Sequence, residues 1–405
     1  MKKKVLFVII VMLVMFSLLF ATKVVNNNIT MRSGKGSFYP VVSVLEKGTD
    51  VQIIEDGETW KKIKTTDEKT GFVSAQAFVQ VQGTIDYGAM AKDISSRDAS
   101  TTLVTAAVKG FFDNKLSDKS INRDIFQHPF KNYIKPNSYI SFKNATFAGR
   151  WSANKFQRKY RISKPKPFVI DETLFATSCY IASLLTSDGV ITDSRKLNYV
   201  NNVAQLIVES TEYYDLPICV HIADTDDLFV NALPIGVIVI SNGLLNECRN
   251  ESELACLLAH EISHITLQHG SIEKEKRRVK MRAEDAFSEL DETFGTDTKE
   301  MDALADEMYA RAIKGRLQKY EAEADRMGVI YAYRAGYDVR GLSKLMQRLE
   351  SQMPRSHSIE DATHWFPYSF KNRIIELEKF IRLKLRIDDN YEKIEKRFNR
   401  NINYW

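Results

Sequence analysis

Asn250-Glu-Ser-Glu-Leu-Ala-Cys-Leu-Leu-Ala-His260-Glu261-Ile-Ser-His264-Ile-Thr-Leu-Gln-His269-Gly270 is the stretch on which the rest of the chain turns. It predicts one amphipathic helix, with Asn250 and Glu253 as a capping box and Gly270 as its stop. His260 and His264 stand four apart, so both imidazoles leave the same helix face. Two neutral ring nitrogens at that spacing can bind one Zn2+, and Glu261 between them can reach a water on the metal. The plainer reading is a solvated pair of surface histidines. A third ligand elsewhere in the chain separates the two.

Tyr320-Glu321-Ala-Glu323-Ala-Asp325-Arg326-Met-Gly328 supplies one, on a second helical stretch that runs to about Arg334 and is closed by Gly336. Glu321 and Asp325 share a face. Glu321 completes a His2Glu set that leaves the fourth position open, as catalytic zinc requires. Asp325 is then placed to accept the free N–H of a ligand histidine and fix its tautomer. Glu323 is the competing ligand, but it points off that face. Cys256, one turn before His260, would close the open position as a thiolate and reads better as a buried apolar thiol.

These residues carry a family resemblance. His260-Glu-Ile-Ser-His264 followed by Glu321-Ala-Glu-Ala-Asp325 resembles the gluzincins of metallopeptidase family forty-eight, the HtpX-like and prenyl-protease-like enzymes. The similarity takes in Asn231-Ala-Leu-Pro-Ile-Gly236-Val-Ile-Val-Ile-Ser-Asn-Gly243, then Arg334-Ala-Gly336-Tyr337-Asp338, Thr363-His364 and Arg373-Ile374, over roughly residues 168–385. Two departures stand out: His364-Trp365 where the family usually has His-Pro, and Pro234-Ile235-Gly236 where it often has Pro-Gly-Gly. The resemblance implies a mainly α, α+β zincin domain with one catalytic zinc on His260, His264 and Glu321, and Glu261 as general base. It also implies an edge strand over the cleft at Gly236, Val237, Ile238 and Val239, where an extended substrate pairs. His364 is implied near the cleft, steadying an oxyanion or occupying the open position and switching the enzyme off. Arg373 is a charged clamp or a salt-bridge partner.

At 405 residues and 44% hydrophobic, the chain has length and apolar content for two or three domains with cores. A net charge of +5 does not argue for nucleic acid. Met1-Lys2-Lys3-Lys4 precedes an uncharged apolar run from Val5 to Ala21, so residues 1–21 read as a signal peptide or a retained anchor, the run being at the lower limit of about 17 residues for a span. Either way the bulk of the chain is exported to a periplasmic or extracytoplasmic side, with membrane contact only through residues 5–21. Four cysteines, Cys179, Cys219, Cys248 and Cys256, allow three pairings that the sequence does not choose among.

Residues 24–82 read as a small barrel of short alternating strands: Ile29–Arg32, Val41–Leu45, Asp50–Glu55, Thr59–Lys64 and Gly71–Ser74. Met31-Arg32-Ser33-Gly34 through Tyr39-Pro40-Val41, with Gly48, Trp60 and Gly71-Phe72-Val73, resembles a bacterial SH3-like domain, which implies binding of cell-wall peptides or other extracytoplasmic ligands. Trp60 reads as barrel core, and Tyr39 as either core or ligand contact. Residues 84–166 are a helical and basic linker, with a helix at Ser100 to Phe112 and a basic, aromatic run from Arg150 to Lys166.

Residues 167–386 hold the peptidase domain, with helices at Asp171–Leu185 and Ser194–Tyr213 and strands at Pro217–Ala223 and Gly236–Ser241. His221 reads as a half-buried sheet residue and His269 as structural or surface. Ser271 to Lys319 is a solvated helical face or a mobile cover. Lys371 to Arg400 reads as a basic helix and tail that can serve as a packing or docking helix, with residues 387–405 as the tail. The expected function is an exported zinc endopeptidase acting on envelope or misfolded proteins. The alternatives are a cell-wall peptide hydrolase and a gated, dormant protease serving as a chaperone or binding module.

Overall fold

The computed structural model describes residues 21–25, 29–36, 39–78, 120–132, 134, 136–147, 170, 172–213, 216–272, 305–306, 318–352, 370–385 and 392–402. The first unit is a strongly bent antiparallel sheet of six strands: β1 (Ala21–Lys23), β2 (Ile29–Arg32), β3 (Val41–Leu45), β4 (Asp50–Glu55), β5 (Trp60–Thr65) and β6 (Thr70–Ser74), in the order β1-β4-β5-β6-β2-β3. Alternation explains the strands: Ile29, Met31, Leu45, Val51, Ile63 and Val73 point inward and form one small core. Gly71 is required where β6 crosses β2, because a Cβ there would lie 2.5 Å from Met31 Cγ. β1 was not expected. Its residues pair with Asp50 to Gln52, so the sheet starts ahead of residue 24 and takes in the end of the apolar run.

The second unit is mainly helical. Its elements are α1 (Arg123–Gln127), α2 (Pro136–Phe147), α3 (Glu172–Leu185), α4 (Ser194–Val208), β7 (Cys219–Ala223), β8 (Val230–Ala232), β9 (Val237–Ser241), α5 (Asn242–Glu247), α6 (Glu251–Thr266), α7 (Gln318–Arg334), α8 (Gly341–Gln352), α9 (Phe370–Lys384) and α10 (Glu392–Ile402). The strands form a mixed sheet in the order β7-β9-β8, with β7 parallel and β8 antiparallel to β9. This corrects the edge-strand assignment. Gly236, Val237, Ile238 and Val239 belong to the turn and the middle strand, and among the described residues β8 is the outer strand on the other side of β9 from β7. Gly236, at φ +97°, makes the β8–β9 turn, where a Cβ would meet the Pro217 carbonyl at 2.1 Å.

Helix α6 runs through the middle and is buried along its whole length, not on one face as amphipathic patterning would require. Asn250 caps it as expected: its Oδ1 accepts the Glu253 N–H at 3.0 Å, while Glu253 Oε2 accepts the Arg249 N–H at 2.9 Å. The stop differs. The helix ends at Thr266, and Gln268 takes the left-handed turn at φ 56°, two residues before Gly270. Helix α7 packs against α6 so closely that a Cβ on Gly328 would lie 2.8 Å from the His260 nitrogen. That approach brings the carboxylates of α7 to the histidines of α6.

Within the expected tail, residues 392–402 form a helix that packs on the core. Ile394, Phe398 and Ile402 of α10 are buried in the core around α6. Arg397 grips Glu251, the first residue of α6, with its Nε 2.7 Å from Oε2, and the same carboxylate accepts the hydroxyls of Tyr199 at 2.6 Å and Tyr337 at 2.8 Å. A carboxylate at that end also suits the helix dipole.

The two units meet at a buried charged cluster and an apolar contact beside it. Arg32 of β2 reaches Glu209 at the end of α4, Nη2 to Oε1 2.6 Å, and Lys143 of α2 takes the other oxygen at 2.5 Å. All three are essentially inaccessible to solvent. The Arg32 guanidinium also covers Trp60, which is buried as expected, and Val41 packs into the helical core. Tyr39 is half-buried against Gly34.

Among the described residues no helix is long and apolar enough to cross a membrane. The apolar run up to residue 20, the helix at Ser100 to Phe112, the basic run Arg150 to Lys166, most of Ser271 to Lys319 and the loop holding His357 and His364 lie outside the described residues.

Candidate metal centre

His260 and His264 project from one side of α6, and Glu321 reaches them from the first turn of α7. The two Nε2 atoms are 3.2 Å apart. Glu321 Oε2 lies 3.3 Å from His260 Nε2, and its Oε1 lies 3.4 Å from His264 Nε2. An ion held tetrahedrally by bonds of about 2.0–2.1 Å needs its ligand atoms roughly 3.3–3.4 Å apart. One donor atom from each of the three expected ligands lies within 4.8 Å of the others, close enough to converge on one ion, and all three are buried.

The surroundings carry excess negative charge. Asp325 Oδ1 sits 2.9 Å from His260 Nδ1. Arg373, from α9, donates to both oxygens of Asp325 at 2.7 and 2.9 Å and stands 3.2 Å from Glu321 Oε2. Arg373 thus forms salt bridges, one of its two expected uses. Burial alone would raise both carboxyls, but Arg373 and the histidines hold Glu321 well below the usual range and Asp325 below it. Burial opposes a charged His260, yet hydrogen bonds and attraction from Asp325 and Glu321 lift it to about 9. Without an ion, a proton thus answers the carboxylates. The donor set, its spacing and its charge all fit a zinc ion.

Glu261 lies at the rim. Its Oε1 is 4.0 Å from His260 Nε2, and its Oε2 accepts the Ala232 N–H at 2.8 Å. The carboxylate is thereby tied to β8, the edge strand.

Two residues to which the sequence reading gave no part in the site, His269 and Glu323, belong to this cluster. His269, read as structural or surface, is buried, with its Nδ1 2.9 Å from His264 Nδ1. Its Nε2 is 3.1 Å from Glu323 Oε2. Glu323 points away from the ligand face as expected, but it points at His269. The available signal was the third histidine five residues after His264; the turn at Gln268 that folds it back was not foreseeable.

The other histidine and cysteine readings are simpler. His221 is fully buried, not half-buried. It donates Nε2–H to the Pro129 carbonyl at 2.6 Å and accepts from Asn132 at 3.1 Å, and burial lowers it to about 4, so it stays neutral. All four cysteines are free thiols. Cys256 faces the Asp338 carbonyl at 3.4 Å, and burial pushes its thiol up, so it stays protonated and off the metal face. His364 lies outside the described residues.

Comparison with known proteins bears on both units. Residues 196–379 match the family described as "Peptidase family M48", and residues 27–80 match "Bacterial SH3 domain". A "Beta-barrel assembly-enhancing protease" of Yersinia pestis is 27% identical over 188 residues, covering 45% of this chain and 38% of that protein. The protein of the same name in Escherichia coli (strain K12) is 26% identical over 178 residues, covering 43% and 36%. "Metalloendopeptidase OMA1, mitochondrial" of Bos taurus is 31% identical over 141 residues, covering 32% and 26%. The chain thus spans less than two fifths of the length of each of these relatives.

Proposed function

From a chain that carries a peptidase family M48 domain behind a bacterial SH3 domain, we propose a zinc-dependent endopeptidase that cuts protein chains, with unassembled or misfolded envelope proteins as its substrates. The observation that carries this is the convergence of His260, His264 and Glu321, close enough to hold one ion, beside Glu261. Zinc, when bound, supplies electrophilic activation of a peptide carbonyl and of water. Glu261 takes the proton of the attacking water and delivers it to the leaving amine. Its bond to Ala232 fixes one oxygen and leaves the other facing the ligands, so the base is aimed before substrate arrives. An extended substrate lies along β8, antiparallel to it, because that strand has a side not paired with β9. Arg373 keeps Glu321 and Asp325 ionised as metal ligand and His260 orienter.

The substrate class rests on two supports. Relatives are named for enhancing β-barrel assembly, and the lysines at positions 2–4 followed by the apolar run to Ala21 have the pattern of an export signal or anchor. The test is metal analysis with hydrolysis of an unfolded protein such as casein. Glu261→Gln is expected to keep stoichiometric zinc while turnover falls by about 10²–10⁴-fold or more. Hydrolysis at the unmutated rate in that variant rejects the assignment of the base, and absence of zinc from the unmutated protein rejects the whole reading.

A further inference from the structure

We propose that His269 and Glu323 are positioning residues for zinc binding: a relay in which the carboxylate of Glu323, acting through the imidazole of His269, holds His264 in the one tautomer that can ligate. The inference rests on the reading of His260, His264 and Glu321 as a zinc site, and it concerns how one ligand is kept ready.

His264 can offer Nε2 only if its proton sits on Nδ1. That Nδ1 faces His269 Nδ1 at 2.9 Å, so the bond forms only if His269 Nδ1 carries a lone pair. His269 then has its proton on Nε2, which faces Glu323 Oε2 at 3.1 Å, an acceptor. With both rings neutral, one assignment satisfies both contacts, and it is also the one that leaves His264 Nε2 free of a proton for the metal. In the opposite one, His264 would aim its Nε2 proton at His260 Nε2, 3.2 Å away, and His269 would aim a lone pair at a carboxylate. Glu323 therefore selects the ligating form of a histidine it does not touch.

The relay is built rather than incidental. The left-handed turn at Gln268 ends α6 and folds residue 269 back under His264. The His269 ring is buried and stacked on Tyr320, centroids 4.3 Å apart and planes 23° apart, which holds its plane between the two partners. The two ligand histidines are thus oriented by different means. His260 meets the Asp325 carboxylate directly at 2.9 Å, whereas His264 is reached through an intervening imidazole. Partners of this kind typically change metal affinity by about 10–100-fold when removed.

The test uses the full-length protein and measures zinc affinity by chelator competition, with the visible spectrum of the cobalt-substituted protein as a second readout. His269→Leu removes both bonds and is expected to weaken zinc binding by about 10–100-fold, with a shifted cobalt spectrum. His269→Gln keeps an acceptor toward His264 and a donor toward Glu323, and should recover most of that loss. Glu323→Ala, at a side chain that is half exposed, should weaken binding in the same direction by a smaller factor. Metal-free unfolding curves establish that each variant is folded. Should His269→Leu fail to fold, Glu323→Ala and His269→Gln carry the test. Wild-type zinc affinity in Glu323→Ala or in a folded His269→Leu overturns the relay, as does a His269→Gln variant that binds zinc as poorly as His269→Leu. If the unmutated protein itself takes up no zinc, the site reading fails first, and that outcome is distinguishable from failure of the relay alone.

Discussion

Where the barrel meets the helical domain, two cations share one buried carboxylate; at the candidate metal centre, three carboxylates share one guanidinium. Both clusters are withdrawn from water, and both would cost several kcal/mol per ion if left unanswered. They are answered differently. Arg32 and Lys143 each take one oxygen of Glu209, and the set is closed by side chains alone. Around His260 and His264, Glu321 and Asp325 pair with Arg373 and Glu261 stands beside them, so among the described residues the carboxylates outnumber the guanidinium by two. A divalent cation closes that balance, and in its absence His260 carries a proton instead. The first cluster keeps one positive charge in excess and the second keeps negative charge in excess, so only the second is suited to receive a cation.

The largest effect that could break this contrast is on metal content. Glu321→Ala removes a ligand and a charge together, and is expected to abolish stoichiometric zinc by elemental analysis and casein hydrolysis with it. Retained zinc would mean that the excess charge, not the three-ligand geometry, holds the ion.

Next in size is the seam between the two units. Glu209→Ala strands two buried cations, and urea unfolding should show a loss of about 3–5 kcal/mol with zinc affinity unchanged. Arg32→Met leaves Lys143 and Glu209 as a matched pair, so its cost should be clearly smaller. Equal losses in the two variants would show that packing at the barrel contact, rather than charge balance, sets the stability of the seam.

The smallest effect is one of pH. His260 is raised from 6.5 to about 9 in the folded, metal-free protein. The stabilisation from its protonated form is therefore complete below about pH 6.5 and is lost as pH rises through about 9. Thermal unfolding of chelator-treated protein should show that decline, and the zinc-loaded protein should not, since the ion has replaced the proton. Parallel curves for the two forms would place the proton elsewhere.

How much of this could be read from residues alone depends on the range over which each feature is encoded. The HExxH spacing and the Asn250 cap are local, and so are the alternating strands of the barrel; β2, β3 and β4 occupy the expected positions, β5 shifts by one residue and β6 begins one residue earlier. Glu321 and Asp325 were legible because an i, i+4 pair declares a common face. Pairing is not local. The β-branched run Val237–Ile240 signals a strand, but nothing in it says that β7 and β8 will flank it, and so the edge was assigned to the wrong strand. His269 was missed because helical periodicity carries residue 269 away from His264, and only a left-handed Gln268 brings it back. Arg32 looked like any polar strand residue, since its partner lies 177 positions further on. The tail reading of residues 387–405 was avoidable: Ile394, Phe398 and Ile402 recur every four residues, a stripe that belongs on a core.

That last helix has a consequence for the order in which the molecule is made. Glu251 is emplaced at the head of the helix bearing both histidines, yet its guanidinium counter-ion is Arg397. During synthesis every metal ligand leaves the ribosome before that arginine does. A nascent chain can own the whole ligand set while the base of the supporting helix still lacks its counter-charge, so a helix that emerges after every ligand completes the footing of the hydrolytic apparatus.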